Sequence, residues 1–154
     1  MRVSLVTAAK RLHSNSTDPL ENYITPKDET NAKIDYDGKQ ETENLIRFNV
    51  AYGTNTDDYA APYCKHYTFP AGQKGYLHSF GQLWTLYLNK TAVDACLSAC
   101  GGDTFNTGWN QSCTPTTFSG TNRGIWNVGW SNGSAVSGYV HNDNYIHVVA
   151  DYEL

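Results

Sequence analysis

Charge divides this chain: residues 12–47 carry twelve charged side chains in thirty-six positions, whereas residues 48–154 carry eleven in one hundred and seven. All four Cys, all four Trp and twelve of the thirteen Gly follow position 47. A segment rich in charge and poor in apolar side chains buries too little surface to offset its ordering entropy. The chain therefore reads as three pieces. Residues 1–11 place Arg2 ahead of the short apolar run VSLVTAA, the order of a secretion-signal remnant. Residues 12–47 read as a disordered polar leader or propeptide, and residues 48–154 as one compact domain with a single core.

The domain carries four Lys and Arg against seven Asp and Glu, and no basic block follows a phosphate run, so duplex nucleic acid and anionic membranes are poor partners. No apolar run reaches the ~20 residues of a spanning helix, so stable membrane insertion is not expected. Cys64, Cys96, Cys100 and Cys113 suggest two disulfides and hence an extracellular protein. Cys96 and Cys100 are four apart on one helix and point to one side, so each is expected to pair with Cys64 or Cys113, in either of two connectivities. Structural zinc needs paired ligands on both sides, and only one pair is present, so no metal or cofactor is expected. The acceptor pattern for N-glycosylation occurs at Asn15, Asn89, Asn110 and Asn132.

The pattern predicts an α+β fold: an antiparallel sheet with a disulfide-linked short helix on one face, or a two-layer sandwich. Its carboxyl end reads as a three-stranded meander, GIWNVGW, AVSGYVH and YIHVVADYEL. Asn132-Gly133 fits a two-residue type I′ hairpin turn, which sets Trp126 opposite Tyr139 and Trp130 opposite Ala135. A second turn with Asn144 left-handed gathers Ile125, Val136, Val140, Ile146, Val148 and Ala150 on one face. The other face then holds Trp126, Trp130, Tyr139, His141, Tyr145, His147 and Asp151. TAVDACLSACGG reads as a buried helix started by a Thr91/Asp94 capping box and stopped at Gly101-Gly102. Phe80, Leu83, Trp84, Tyr87 and Leu88 have helical spacing. Stretches near 48–52, 65–69, 104–109 and 116–119 are candidate strands.

Two kinds of chemistry follow. His141, His147 and Asp151 on one sheet face could do acid–base work in a small ribonuclease-like hydrolase, although a half-exposed strand position also tolerates imidazole. Trp126, Trp130, Tyr139 and Tyr145 could stack on a sugar or an apolar partner residue, although a second layer would make them core. Gly129-Trp130-Ser131-Asn132-Gly133 matches the nucleophile-elbow string but straddles a hairpin, which the elbow does not.

The Lys10-Arg11 pair, the junction at Arg47 and the Cys64, Cys96, Cys100, Cys113 frame resemble fungal secreted killer toxins and plant-pathogen effectors. That resemblance implies a secreted proprotein cut by a kexin-like protease, whose mature part acts on another cell, sometimes through a host receptor or channel. The chain is read first as a non-enzymatic toxin or effector that binds a protein or glycan of a target cell. A hydrolase using the paired histidines and a carbohydrate-binding module are the other readings.

Overall fold

A computed structural model describes residues 1–117 and 121–151. β1 (Arg2–Lys10) is followed by a single 3-10 turn, then α1 (Glu29–Lys33), α2 (Gly38–Ala51) and α3 (Ala60–His66). β2 (Tyr76–Leu77), α4 (Phe80–Leu88) and α5 (Lys90–Ala99) come next, then β3 (Trp109–Pro115), β4 (Gly124–Gly129), β5 (Ala135–Tyr139) and β6 (Asn144–Ala150). The strands form one open, six-stranded sheet in the order β1-β6-β3-β4-β5, with β2 also on β6. All pairings are antiparallel except β3 with β6, which meet in parallel at Asn110 and Tyr145.

Period-two alternation sorts the strands into two apolar cores. Ile125, Val140, Ile146, Val148 and Ala150 pack with Leu45, Phe48, Ala60, Ala61 and Cys64 from α2 and α3. On the other face Val128 and Trp130 pack with Phe80, Leu83 and Leu86 of α4 and Leu97 of α5. Ile125 and Val128 are an odd number of residues apart on β4, so helices cover both faces. The α+β class and the antiparallel sheet hold, but the molecule has one covered sheet rather than two stacked ones.

The predicted leader is part of this core. Leu12, Leu20, Ile24 and Leu45 are buried in the first cluster, and the expected boundary at residue 47 falls inside α2. The charges that made this segment look disordered are spent on tertiary contacts: Arg123 pairs with Glu21, and Lys27 with Asp35 and Glu41. The expected signal remnant 1–11 supplies β1, which pairs with β6 from Arg2↔Ala150 to Lys10↔Asn144.

The meander is corrected as well. β4 and β5 form the expected hairpin, but Trp126 faces Ser137 and Val128 faces Ala135. That register is two residues from the one a type I′ turn dictates, because only Gly133 takes a left-handed φ (73°) and the loop widens. A shift of two preserves the side-chain faces, which is why the aliphatic set survives, Val136 apart. β6 leaves the hairpin altogether. The chain crosses from β5 to lie between β1 and β3, and Asn144, instead of making a left-handed turn, pairs with Lys10.

Among the other expectations, α4 forms over the predicted residues, with the Gln82 side chain accepting from the Ser79 backbone N–H at 3.0 Å. α5 also forms, but only Leu97 of it is buried and Asn89 is its N-cap. Asp94 is instead engaged by the Trp130 indole N–H at 2.9 Å. Gly101 stops the helix in the left-handed region (φ 72°). Residues 48–51 end α2 and residues 65–66 end α3, so neither is a strand. Residues 104–108 are irregular, and of the stretch 116–119 residues 118–119 lie outside the described residues.

Candidate functional site

All four thiols are free; Cys64 and Cys113 are buried, whereas Cys96 and Cys100 are exposed. The disulfide-linked helix is therefore not formed. Cys64 packs among α3 and β-sheet apolar side chains in the first core, and α5 belongs to the second, so the sheet separates the expected partners. Burial pushes the Cys64 thiol well above its ordinary range, as an inert core thiol requires.

The predicted catalytic group is dispersed. His147 is buried, with Nδ1 3.0 Å from the Ser4 carbonyl and its ring 4.3 Å from Phe105. His141 is exposed and stacks on Tyr139 at 5.4 Å. Asp151 pairs with Lys39 and accepts from the Tyr76 hydroxyl. These side chains share no contact, because β6 is not the neighbour of β5. Of the predicted aromatic platform, Trp130 is core and stacks on Phe105 at 4.1 Å, and Trp126 is half-buried with its indole N–H donating to the Lys27 carbonyl. Only Tyr139 and Tyr145 are exposed. Asn110 is fully buried, its amide donating to the Asn106 and Gly108 carbonyls, so it accepts no glycan in the folded protein; Asn15, Asn89 and Asn132 are exposed.

What sequence reasoning missed is β3 itself. From Asn110 to Thr114 it reads Asn-Gln-Ser-Cys-Thr, without apolar alternation, yet every one of these residues is buried. A buried polar strand must find partners for its side chains, and its two ends do so differently.

At the Thr114 end the partners are ionic. Thr114 Oγ1 lies 2.7 Å from Asp35 Oδ2 and 3.0 Å from Glu41 Oε2, and Cys113 Sγ lies 3.1 Å from the same Glu41 oxygen. Lys27 Nζ closes the cluster, 2.6 Å from Asp35 and 2.9 Å from Glu41. Burial, and then the neighbouring Asp35 charge, raise the Glu41 carboxyl above its ordinary value. Asp35 is held below its own: burial alone would raise it, but hydrogen bonds from Lys27 and Thr114 outweigh that. The cluster thus sets one ammonium between two carboxyl groups, Asp35 held down and Glu41 pushed up. A cleft of about 620 Å³ opens beside Lys27 and Asp35.

At the Trp109 end the partners run out. Gln111 and Asn127 face each other across β3 and β4. The Asn127 amide donates to the Ile125 carbonyl and the Gln111 amide to the Lys10 carbonyl, which fixes both flips. Asn127 Oδ1 and Gln111 Oε1 are left buried with no donor among the described residues. Asn127, 1 % exposed, sits under a cleft of about 310 Å³ lined also by Trp109, Val136, Ser137, Gly138, Asn142 and Asn144. Two glycines make the room: a Cβ on Gly129 would lie 2.9 Å from the Trp109 ring, and one on Gly138 would lie 2.6 Å from the Asn127 amide nitrogen. Trp109 is thereby laid against the sheet with 42 % of its surface exposed.

Among the described residues no group of three or more His, Cys, Asp or Glu is arranged to hold a metal ion, and no helix is long and apolar enough to cross a membrane. Searches of protein families, of curated proteins and of solved structures find no match to the chain.

Proposed function

We propose that this protein acts by binding rather than by catalysis, and that its ligand is an uncharged carbohydrate held in the Trp109–Asn127 cleft. The observation that carries this reading is Asn127, a residue lining an open cleft whose buried Oδ1 has no donor among the described residues. Leaving such a group unmatched costs about 1–3 kcal/mol, which a ligand hydroxyl can recover. A sugar ring supplies that hydroxyl together with an apolar face that suits the exposed Trp109 ring, and the amides of Asn142 and Asn144 can donate to or accept from neighbouring hydroxyls. No charged side chain lines the cleft, which favours a neutral sugar over a phosphorylated or acidic one. Its volume of about 310 Å³ suits one terminal ring of a glycan.

This is the form in which the effector expectation is retained: a protein that engages a neutral glycan on a target cell's surface. The hydrolase reading has less support, since its three side chains have other partners. A glycan array followed by calorimetry against the best neutral ligand tests the proposal. Trp109→Ala is expected to weaken binding at least tenfold with an unchanged melting temperature. A blank array, or a glycan bound equally by Trp109→Ala, would overturn it.

A further inference from the structure

The second candidate lies on the far side of the molecule, where α5 ends. Cys96 and Cys100 are both exposed and one helical turn apart, and together with Met1 they line a groove of about 290 Å³ whose other walls are Val3, Leu5, Leu86, Val93 and Leu97. Three sulfur-bearing residues thus border one apolar concavity. We propose that this groove is a binding site for a soft, monovalent d¹⁰ cation, Cu(I), held by the Cys96 and Cys100 thiolates with the Met1 thioether as a third donor.

Helix geometry selects this use of the pair over a disulfide. Residues four apart on a helix hold their Cβ atoms about 5–6 Å from each other. A disulfide requires Cβ atoms within about 3.5–4.5 Å, so closing one would unwind the last turn of α5. A cation between the sulfurs removes that demand: with metal–sulfur bonds of about 2.3 Å, two thiolates on opposite sides of one ion stand up to about 4.6 Å apart.

The surroundings select the ion. Thiolate and thioether donors favour Cu(I), whereas carboxylates, carbonyls and water favour Mg²⁺ and Ca²⁺. The groove walls are aliphatic and present no oxygen-bearing side chain, so a hard cation would lose its hydration shell without replacement. Zinc wants four ligands in a tetrahedron, and this groove offers three sulfurs. Binding one Cu(I) converts two thiols into thiolates and releases two protons, with no change of oxidation state at copper or sulfur. The buried thiols Cys64 and Cys113 take no part, since no ion reaches them without opening a core.

The experiment is an anaerobic titration of the reduced full chain with Cu(I) in competition with a chromophoric Cu(I) chelator. One equivalent is expected to be withdrawn from the chelator, with an X-ray absorption spectrum fitted by two or three sulfur neighbours. Cys96→Ser and Cys100→Ser should each weaken binding at least a hundredfold, whereas Cys64→Ala and Cys113→Ala should leave it unchanged if they fold. Both exposed variants should keep the parent melting temperature, and native mass spectra with Ag(I) give a second reading of stoichiometry. Failure of the parent protein to hold one ion against the chelator would overturn the assignment. So would full retention by the Cys96→Ser/Cys100→Ser double variant, or a nitrogen- or oxygen-dominated shell.

Discussion

The two ends of β3 bury polar side chains on opposite terms. At Thr114 every group meets a partner, and the Lys27 ammonium lies between the Asp35 and Glu41 carboxyl groups. At Gln111 and Asn127 each amide spends its nitrogen on a backbone carbonyl and keeps its oxygen unmatched. A closed cluster adds to the fold and has little left to offer a ligand. An unmatched acceptor costs the fold and gains on binding, so the smaller cleft rather than the larger is read as the ligand site.

The harshest way to break the closed end is to remove what supplies it. Lys27, Asp35 and Glu41 all precede residue 48, as do β1 and the core side chains Leu12, Leu20, Ile24 and Leu45. A chain starting at Phe48 is expected to lose cooperative unfolding altogether, seen as a featureless circular-dichroism melt. A sigmoidal melt of that fragment would show the front segment to be dispensable.

Next in size is acid sensitivity centred on His78, which lies behind β3 with its carbonyl accepting from the Cys113 N–H. Its two ring nitrogens have no partner among the described residues, and burial, then the nearby His147, lower its pKa from 6.5 to about 3. Between these values the unfolded chain binds a proton that the folded chain refuses, so stability falls as pH falls through that window. The slope is ~1.4 kcal/mol per pH unit, which sums to roughly 4–5 kcal/mol. Glu41 acts in the opposite sense. Its folded pKa is raised above 4.5, so its contribution is complete below 4.5 and is lost as pH rises through the raised value. Urea denaturation from pH 7 to 4 should therefore show a net acid destabilisation that His78→Leu flattens. An unchanged slope in that variant would mean that the imidazole charges inside the fold.

A smaller effect tests the closed cluster directly. Asp35→Asn leaves Lys27 facing Glu41 alone and is expected to cost about 3 kcal/mol, at the low end for a broken buried pair because a quarter of the Lys27 side chain is exposed. The Lys27→Met/Asp35→Leu/Glu41→Leu triple variant should recover most of that loss, since apolar groups of similar volume replace a buried ionic cluster. Urea midpoints read both. A triple variant no more stable than Asp35→Asn would mean that the charges specify the fold.

How much of this was legible in the chain follows from locality. α4, the Gly101 stop and the shared face of Ile125, Ile146 and Val148 are set by periodicity and by one glycine's φ, both local, and they were readable. Strand order was not: nothing near Asn144 tells β6 to cross to β1 and away from β5, because the energy of that choice lies in contacts with residues 2–10. The same non-locality hid the front segment, whose charges look solvated until Thr114 and Arg123 are brought to them. It also hid the ligand cleft. Trp109 opens a strand without apolar alternation, and only the pairing Trp109↔Gly129 shows why its ring can lie flat.

The smallest effect on stability is expected at the open end, and it is the most discriminating. Asn127→Leu replaces the unmatched acceptor by a side chain of similar size, losing one hydrogen bond to the Ile125 carbonyl but removing a buried oxygen without a donor. These changes oppose each other at about 1 kcal/mol each, so the melting temperature should move by only a few degrees. Glycan binding should nevertheless fall at least tenfold. If Asn127→Leu instead unfolds the protein as Asp35→Asn does, the two ends of β3 are alike and the amide is a structural one whose oxygen is satisfied from within the fold.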